Sequence, residues 1–104
     1  MGNLKIIDIQ NMVDVWIKSY GDGYWNPLSM LAALVEEVGE LARVLNSIEG
    51  GKGGGDIKLL SEEIGDVFFA LVCLSNYYDI NLEDAIKSTI DKYTVRDSNR
   101  WIKR

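Results

Sequence analysis

Apolar residues recur along most of the chain at intervals of three and four residues, which is the spacing of one face of an α-helix. This pattern predicts four helices, over residues 4–20, 28–46, 56–78 and from 82 onward. Segments that break helices lie between them, at residues 21–23, 49–56 and 79–81. We therefore predict an all-α protein, with a glycine-rich connector between the second helix and the third.

The second predicted helix carries two carboxylates on or beside its apolar side. At about 100° of rotation per residue, Glu37 falls inside the apolar arc, and Glu40 lies about 60° away at the edge of the arc. A carboxylate in apolar surroundings is unfavourable unless it is paired, protonated or bound to a metal ion. Because charged residues are mostly exposed, the alternative is a wide acidic surface that faces solvent.

The third predicted helix repeats this arrangement. Residues 64–74 are nearly all apolar, and a helix that is apolar on all sides is usually buried. Glu63 and Asp66 stand three residues apart in this helix, so both project from one helical face. The apolar run is too short for a membrane span, and the acids interrupt it. The sequence therefore predicts two acid pairs on two hydrophobic helices.

If the two acidic helices run antiparallel, their acid pairs come together. Four converging carboxylates would repel one another strongly unless cations lay between them. Oxygen ligands suit hard ions, so we expect Mg²⁺, with Mn²⁺ as the alternative. The chain has no His, and its single Cys lies in the apolar run, which disfavours a zinc site or a Glu/His di-iron site.

The two acidic motifs, Glu36-Glu37-x-x-Glu40 and Glu63-x-x-Asp66, are separated by 22 residues. This pair resembles the all-α nucleoside triphosphate pyrophosphohydrolases of the MazG type, and the resemblance extends over most of the chain. It implies a fold similar to a four-helix bundle, with the two acidic helices antiparallel. It also implies four Mg²⁺ ligands, which are Glu37, Glu40, Glu63 and Asp66.

The same resemblance implies a reaction, the Mg²⁺-dependent hydrolysis of a nucleoside triphosphate to a monophosphate and pyrophosphate, which removes unwanted nucleotides. Lys92 and Arg96 match the basic pair that MazG-type proteins place on the phosphates. Relatives with these motifs act on other substrates, so a dUTPase-like, a dCTPase-like or a phosphoribosyl-ATP pyrophosphohydrolase is an alternative. Outside the enzyme class, the alternative is a non-catalytic helical interaction module whose acids are structural or bind a regulatory ion.

Two further residues are candidates for this site. Glu36 flanks the predicted ligand pair without sharing its helical face, so we expect it to orient or deprotonate the attacking water. Trp25 precedes the second helix, at the mouth of the predicted site, where it could stack on a nucleobase. The alternative is that Trp25 packs against the start of that helix.

Composition and charge narrow the remaining possibilities. The chain of 104 residues contains one Pro and is 47% hydrophobic, which fits one domain over residues 1–104. A net charge of −5 argues against nucleic acid as a partner. We find no signal peptide and no membrane span, and with a single Cys we expect a cytoplasmic protein. The third predicted helix has more apolar surface than one small bundle can cover, so we expect a homodimer or homotetramer that binds a nucleoside triphosphate.

Overall fold

Residues 3–50 and 56–101 are described in a computed structural model, with side chains described as far as Asp97. The elements are four α-helices: α1 (Ile6–Tyr20), α2 (Pro27–Glu49), α3 (Ile57–Tyr77) and α4 (Leu82–Trp101). The prediction of an all-α protein with four helices is therefore confirmed. Most of the predicted glycine-rich connector, residues 51–55, lies outside the described residues.

Short polar side chains fix where three of the helices begin. The side chain of Asn26 accepts a hydrogen bond of 3.0 Å from the backbone N–H of Ser29, and Pro27 follows it at the first position of α2. Asp56 caps α3 in the same way, and Asn81 caps α4. Helix α2 extends to Glu49, three residues further than its apolar pattern predicts.

Helix α3 lies at the centre of the fold, where it packs against both α1 and α2, while α4 makes its main contacts with α1. Met30 on α2 and Cys73 on α3 line the same cavity. Seven residues later on α2 and seven residues earlier on α3, Glu37 and Asp66 line it as well. A step towards the C-terminus of α2 thus corresponds to a step towards the N-terminus of α3, so the two helices run antiparallel.

The chain leaves much apolar surface uncovered. The radius of gyration is 16.8 Å, whereas a compact domain of about 100 residues has about 13 Å. Leu28, Leu31, Val35 and Val38 form a stripe on α2, and each is at least 45% exposed. None of the helices in the described part of the chain combines the length and the apolar content that crossing a membrane requires.

Candidate functional site

Three carboxylates from two helices come together between α2 and α3. Glu37 projects from α2, and Glu63 and Asp66 project from α3 one helical turn apart. One oxygen from each of the three carboxylates lies within 4.8 Å of the other two. Glu37 and Glu63 are half-buried, and Asp66 is exposed. We refer to these three residues as the acidic cluster.

The acidic cluster brings three carboxylates together, two of which are half-buried. One side-chain oxygen of Glu63, Oε1, is buried and has no hydrogen-bond partner among the described residues. The pKa of Glu37 is raised above its usual value, first by desolvation and then by repulsion from Asp66 and Glu63. A buried acceptor without a donor is rare in proteins and calls for an explanation, such as an ion bound to it.

The geometry and chemistry of the acidic cluster fit a divalent cation. Mg²⁺ binds oxygen at about 2.1 Å, so ligands on opposite sides of one ion lie about 4.2 Å apart. The three oxygens, within 4.8 Å of one another, need only small side-chain rotations to reach such an ion. Glu37, Glu63 and Asp66 can therefore hold a metal ion.

Two other predicted site residues on α2, Glu40 and Glu36, are not part of the acidic cluster. The side chain of Glu40 accepts hydrogen bonds from Arg43, at 3.0 Å from Nη2 and 3.1 Å from Nε. The predicted convergence of four carboxylates therefore involves three in this structure. The reason is local. Glu40 lies at the edge of the apolar arc, where the guanidinium of Arg43, one turn further along α2, pairs with it. Glu36, next to Glu37, is exposed to solvent.

A cavity of about 340 Å³, which we call the aromatic cavity, opens beside the acidic cluster. Glu37 and Asp66 form part of its wall. Trp16 on α1 and Phe69 on α3 form another part, with their rings edge to face at 5.7 Å between centroids. The α1–α2 loop supplies two aromatic residues, which are Tyr24 and Trp25. Trp25 thus lines the same cavity as Glu37 and Asp66, and its side chain is 61% exposed.

Lys92 and Arg96 lie on the exposed surface of α4, one helical turn apart. The guanidinium of Arg96 pairs with Asp97 at 2.7 Å, and it lies 4.6 Å from the centre of the Tyr93 ring. The ammonium of Lys92 approaches the same ring at 5.2 Å. Neither cation is among the residues that line the aromatic cavity or form the acidic cluster.

Sequence reasoning did not identify the contribution of α1. The sequence predicted an amphipathic helix there, to which we assigned no site residue. In the structure, Trp16 and Ile17 of this helix line the aromatic cavity. Gln10 is 3% exposed although it is polar. A signal for it existed, because Gln10 stands four residues after Ile6 and three before Val13, within the apolar stripe. The reasoning applied to Glu37 would have found it.

Comparison with known families identifies one that matches most of the chain. The family described as the MazG nucleotide pyrophosphohydrolase domain matches residues 25–101 of the chain. The chain belongs to the MazG family. The matched segment contains all four carboxylates of the two acidic motifs and the predicted basic pair. The resemblance inferred from those motifs is therefore confirmed.

Two relatives of the MazG chain align with it in sequence along nearly their whole length. The uncharacterized protein YpjD of Bacillus subtilis strain 168 is 45% identical over 107 residues, which cover 100% of this chain and 96% of YpjD. The uncharacterized YvdC of the same strain is 29% identical over 102 residues, covering 89% of this chain and 96% of YvdC.

Two crystal structures resemble the MazG chain closely. That of YpjD from Bacillus subtilis superposes with a TM-score of 0.81 at 46% identity, covering 89% of this chain and 98% of that one. That of a Bacillus-conserved MazG protein, a nucleotide pyrophosphohydrolase, superposes with a TM-score of 0.79 at 37% identity. The second match covers 95% of this chain and 99% of the other. The arrangement of four helices is thus that of the family.

Proposed function

We propose that the protein hydrolyses a nucleoside triphosphate to the monophosphate and pyrophosphate in a cation-dependent reaction, and so removes unwanted nucleotides. Water adds to phosphorus, the bridging P–O bond between the α- and β-phosphates breaks, and pyrophosphate leaves. The observation that carries this proposal is the position of the acidic cluster: two of its residues, Glu37 and Asp66, line the wall of the aromatic cavity. An ion at the acidic cluster would bind the phosphates of a nucleotide, and the cavity would bind its base.

The cavity suits a nucleobase in both size and lining. Its volume of about 340 Å³ lies within the usual range for small-molecule sites. Bases stack on aromatic side chains with little dependence on sequence, because every base has a π-face. Trp25 is the proposed stacking residue, since it lines the cavity and keeps most of its surface exposed.

Glu37, Glu63 and Asp66 are the proposed ligands of Mg²⁺ or Mn²⁺, together with Glu40. When bound, such an ion neutralises the charge that develops on the phosphate oxygens. Glu40 would turn from Arg43 to join the other three carboxylates. Little opposes this rotation, since the Glu40–Arg43 pair is solvent-exposed and exposed pairs contribute at most about 1 kcal/mol.

Glu36 is the proposed residue that orients or deprotonates the attacking water. It adjoins Glu37 in the chain and is exposed, so its carboxylate is available to accept a proton. The variant Glu36→Gln should lower kcat by about 100-fold and leave Mn²⁺ affinity unchanged. Equal loss of cation binding in this variant would instead make Glu36 a ligand.

Lys92 and Arg96 are the proposed phosphate ligands. Charge-assisted hydrogen bonds from such cations to phosphate are about twice as strong as neutral ones. Replacing both with Ala should raise KM for the triphosphate more than it lowers kcat. Lys87→Ala is the matched control on the same helix, because Lys87 is exposed and pairs with Glu83.

The proposed assembly is a homodimer in which the exposed α2 stripe of Leu28, Leu31, Val35 and Val38 packs on a second copy. Support comes from the apolar character of this stripe and from a radius of gyration of 16.8 Å. Sedimentation should give twice the mass of the chain or a higher multiple, and Val35→Glu should yield monomers. A monomeric wild type would refute the assembly.

The reaction itself is tested by incubating the protein with Mg²⁺ and a panel of ordinary and modified nucleoside triphosphates, followed by measurement of pyrophosphate. Pyrophosphate in equal amount to a nucleoside monophosphate, absent with Glu63→Gln, would support the proposal and name the substrate. Release of orthophosphate would refute cleavage between the α- and β-phosphates. No release from any nucleotide would favour a non-catalytic module.

A further inference from the structure

Tyr24, in the loop between α1 and α2, is held by hydrogen bonds to two different helices. Its hydroxyl donates to Oδ1 of Asp14 on α1 at 2.6 Å, and it accepts from Nδ2 of Asn76 on α3 at 3.1 Å. Burial and the bond to Asp14 raise the pKa of Tyr24 to about 12. The hydroxyl is therefore protonated at neutral pH and can donate its hydrogen bond to Asp14.

The two partners of Tyr24 are themselves held in place. Asn76 exchanges hydrogen bonds with Gln10: its Oδ1 accepts from Nε2 at 3.0 Å, and its Nδ2 donates to the backbone oxygen of Gln10 at 2.9 Å. Gln10 also donates to the backbone oxygen of Ile80 and accepts from the N–H of Leu82. We refer to Gln10, Asp14, Tyr24 and Asn76 as the polar network.

The backbone of the loop also directs Tyr24 towards this network. Asp22 and Gly23 both have positive φ, 63° and 93°, which turns the chain back over α1. The N–H groups of Gly21 and Gly23 both donate to the carbonyl of Ile17 at 3.0 Å. The start of the loop is thus held by backbone hydrogen bonds to α1, and Tyr24, further along the loop, is held by its hydroxyl.

Tyr24 lines two cavities. On one side is the aromatic cavity beside the acidic cluster, and on the other is a cavity of about 540 Å³ that Gln10, Asp14 and Asn76 also line. Tyr24 lines both of these cavities and so lies between a mostly apolar space and a more polar one. A ring released from its two hydrogen bonds could turn into the polar space, and the wall of the aromatic cavity would open.

We propose that Asp14 and Asn76 are positioning residues for nucleotide binding, which hold the hydroxyl of Tyr24 so that its ring closes the aromatic cavity around the base. This inference rests on the proposed function, since it assumes that a nucleobase occupies that cavity. It assigns to Tyr24 a contact with the base, and to Asp14 and Asn76 an action through Tyr24. The acidic cluster is not touched, so binding of the base should change while the chemical step does not.

The decisive variants separate the anchoring of Tyr24 from the other contacts of Asp14. Asp14→Ala removes the acceptor, whereas Asp14→Asn keeps an oxygen that can accept from Tyr24. Lys18→Ala is the matched control, because Lys18 forms a 3.0 Å ion pair with Asp14 on the exposed surface. Tyr24→Phe removes both hydroxyl bonds and keeps the ring.

Two readouts are needed for each variant. The first is KM and kcat for pyrophosphate release from the preferred triphosphate. The second is quenching of tryptophan fluorescence by the α,β-methylene analogues of dUTP, dCTP, dATP and dGTP, which bind without being cleaved. Trp16 and Trp25 line the cavity, so a base that enters it should quench their emission. Mn²⁺ affinity serves as the check that the acidic cluster is intact.

Asp14→Ala and Tyr24→Phe should raise both KM and the Kd of the analogue roughly three- to tenfold, the effect of one or two hydrogen bonds. Their kcat and Mn²⁺ affinity should stay within about twofold of wild type, as should all constants of Asp14→Asn and Lys18→Ala. Unchanged KM and Kd in Asp14→Ala, or an equal rise in Lys18→Ala, would overturn the inference.

These outcomes are separate from failure of the proposed function. A wild type that binds an analogue in an Asp14-dependent way but cleaves nothing would refute the hydrolysis and support the positioning role. A wild type that cleaves triphosphates with constants unaffected by Asp14→Ala and Tyr24→Phe would do the reverse. Absence of analogue binding to the wild type would refute both.

Discussion

The acidic cluster and the polar network are both groups of polar side chains between helices, but they differ in how far their hydrogen-bonding capacity is met. In the polar network, donors meet acceptors at 2.6–3.1 Å across α1, the following loop, α3 and the start of α4. The acidic cluster holds only acceptors, and one of its buried oxygens has no partner among the described residues.

The contrast is between polar groups that are paired within the fold and carboxylates that could bind a metal ion. A buried polar group whose partners are all present contributes to stability and specifies one arrangement. A set of like charges in partly apolar surroundings destabilises the protein unless a cation compensates it. The acidic cluster is therefore expected to matter for activity more than for folding, and the polar network for both folding and binding.

The largest expected effect is the loss of activity when the acidic cluster is broken. Asp66→Asn should lower pyrophosphate release by about 100-fold or more, because it removes a proposed ligand of the ion that stabilises the reacting phosphates. Its melting temperature without metal should not fall. The matched control is Asp84→Asn, the same chemical change at an exposed position in the first turn of α4. Full activity in Asp66→Asn would remove this residue from the site.

The next effect is a loss of stability when the polar network is broken. Gln10→Ala should lower the free energy of unfolding by about 1–3 kcal/mol, because the carbonyl of Ile80, the N–H of Leu82 and Asn76 lose a buried partner. Urea denaturation measures this, and Mg²⁺ should not restore it. Asn11→Ala, at the exposed neighbouring position, should have little effect. Equal stability of Gln10→Ala and wild type would contradict the contrast drawn between the two regions.

A smaller effect is expected on the stability of the metal-free protein as pH changes. The pKa of Glu37 is raised in the folded state, so folding favours its protonated form. Its charged form thus destabilises the fold above the raised pKa, and the effect disappears below the unfolded-state pKa of about 4.3.

Glu37→Gln should therefore melt higher than wild type at pH 7 and at the same temperature as wild type near pH 4. Glu49→Gln, the same change at the exposed end of α2, is the control and should show no such dependence. Lower stability of Glu37→Gln at pH 7 would mean that Glu37 serves packing rather than ion binding.

The smallest effect concerns the competition for Glu40. Arg43→Ala should change the melting temperature little, because the pair is exposed on α2. It should increase the affinity for Mn²⁺ modestly, since Glu40 would be free to join the acidic cluster. Unchanged affinity in Arg43→Ala would leave the cluster with three ligands.

Much of the fold was predictable from local pattern. The apolar spacing and the capping residues Asn26, Asp56 and Asn81 define where helices run, because both act within one turn of the chain. The positions of Glu37 on one apolar helix and of Glu63 and Asp66 on another together indicated the acidic cluster. The matched spacing of the second motif then indicated the MazG family.

Other features depend on contacts that no local pattern carries. The side chain of Gln10 meets that of Asn76 across 66 positions of sequence. The aromatic cavity is assembled from α1, α2, α3 and the α1–α2 loop, so no single motif could reveal it. The orientation of Glu40 was unpredictable for a different reason: it lies at the edge of the apolar arc, where Arg43 decides its direction.

The most direct test of the account is a calorimetric titration of the metal-free protein with Mn²⁺, performed on wild type and on Glu63→Gln. The central claim is that Glu37, Glu63 and Asp66 bind a divalent cation, so wild type should bind Mn²⁺ and melt at a higher temperature when it is present. Glu63→Gln should lose both effects while remaining folded. No binding to wild type, or equal binding to Glu63→Gln, would contradict the claim.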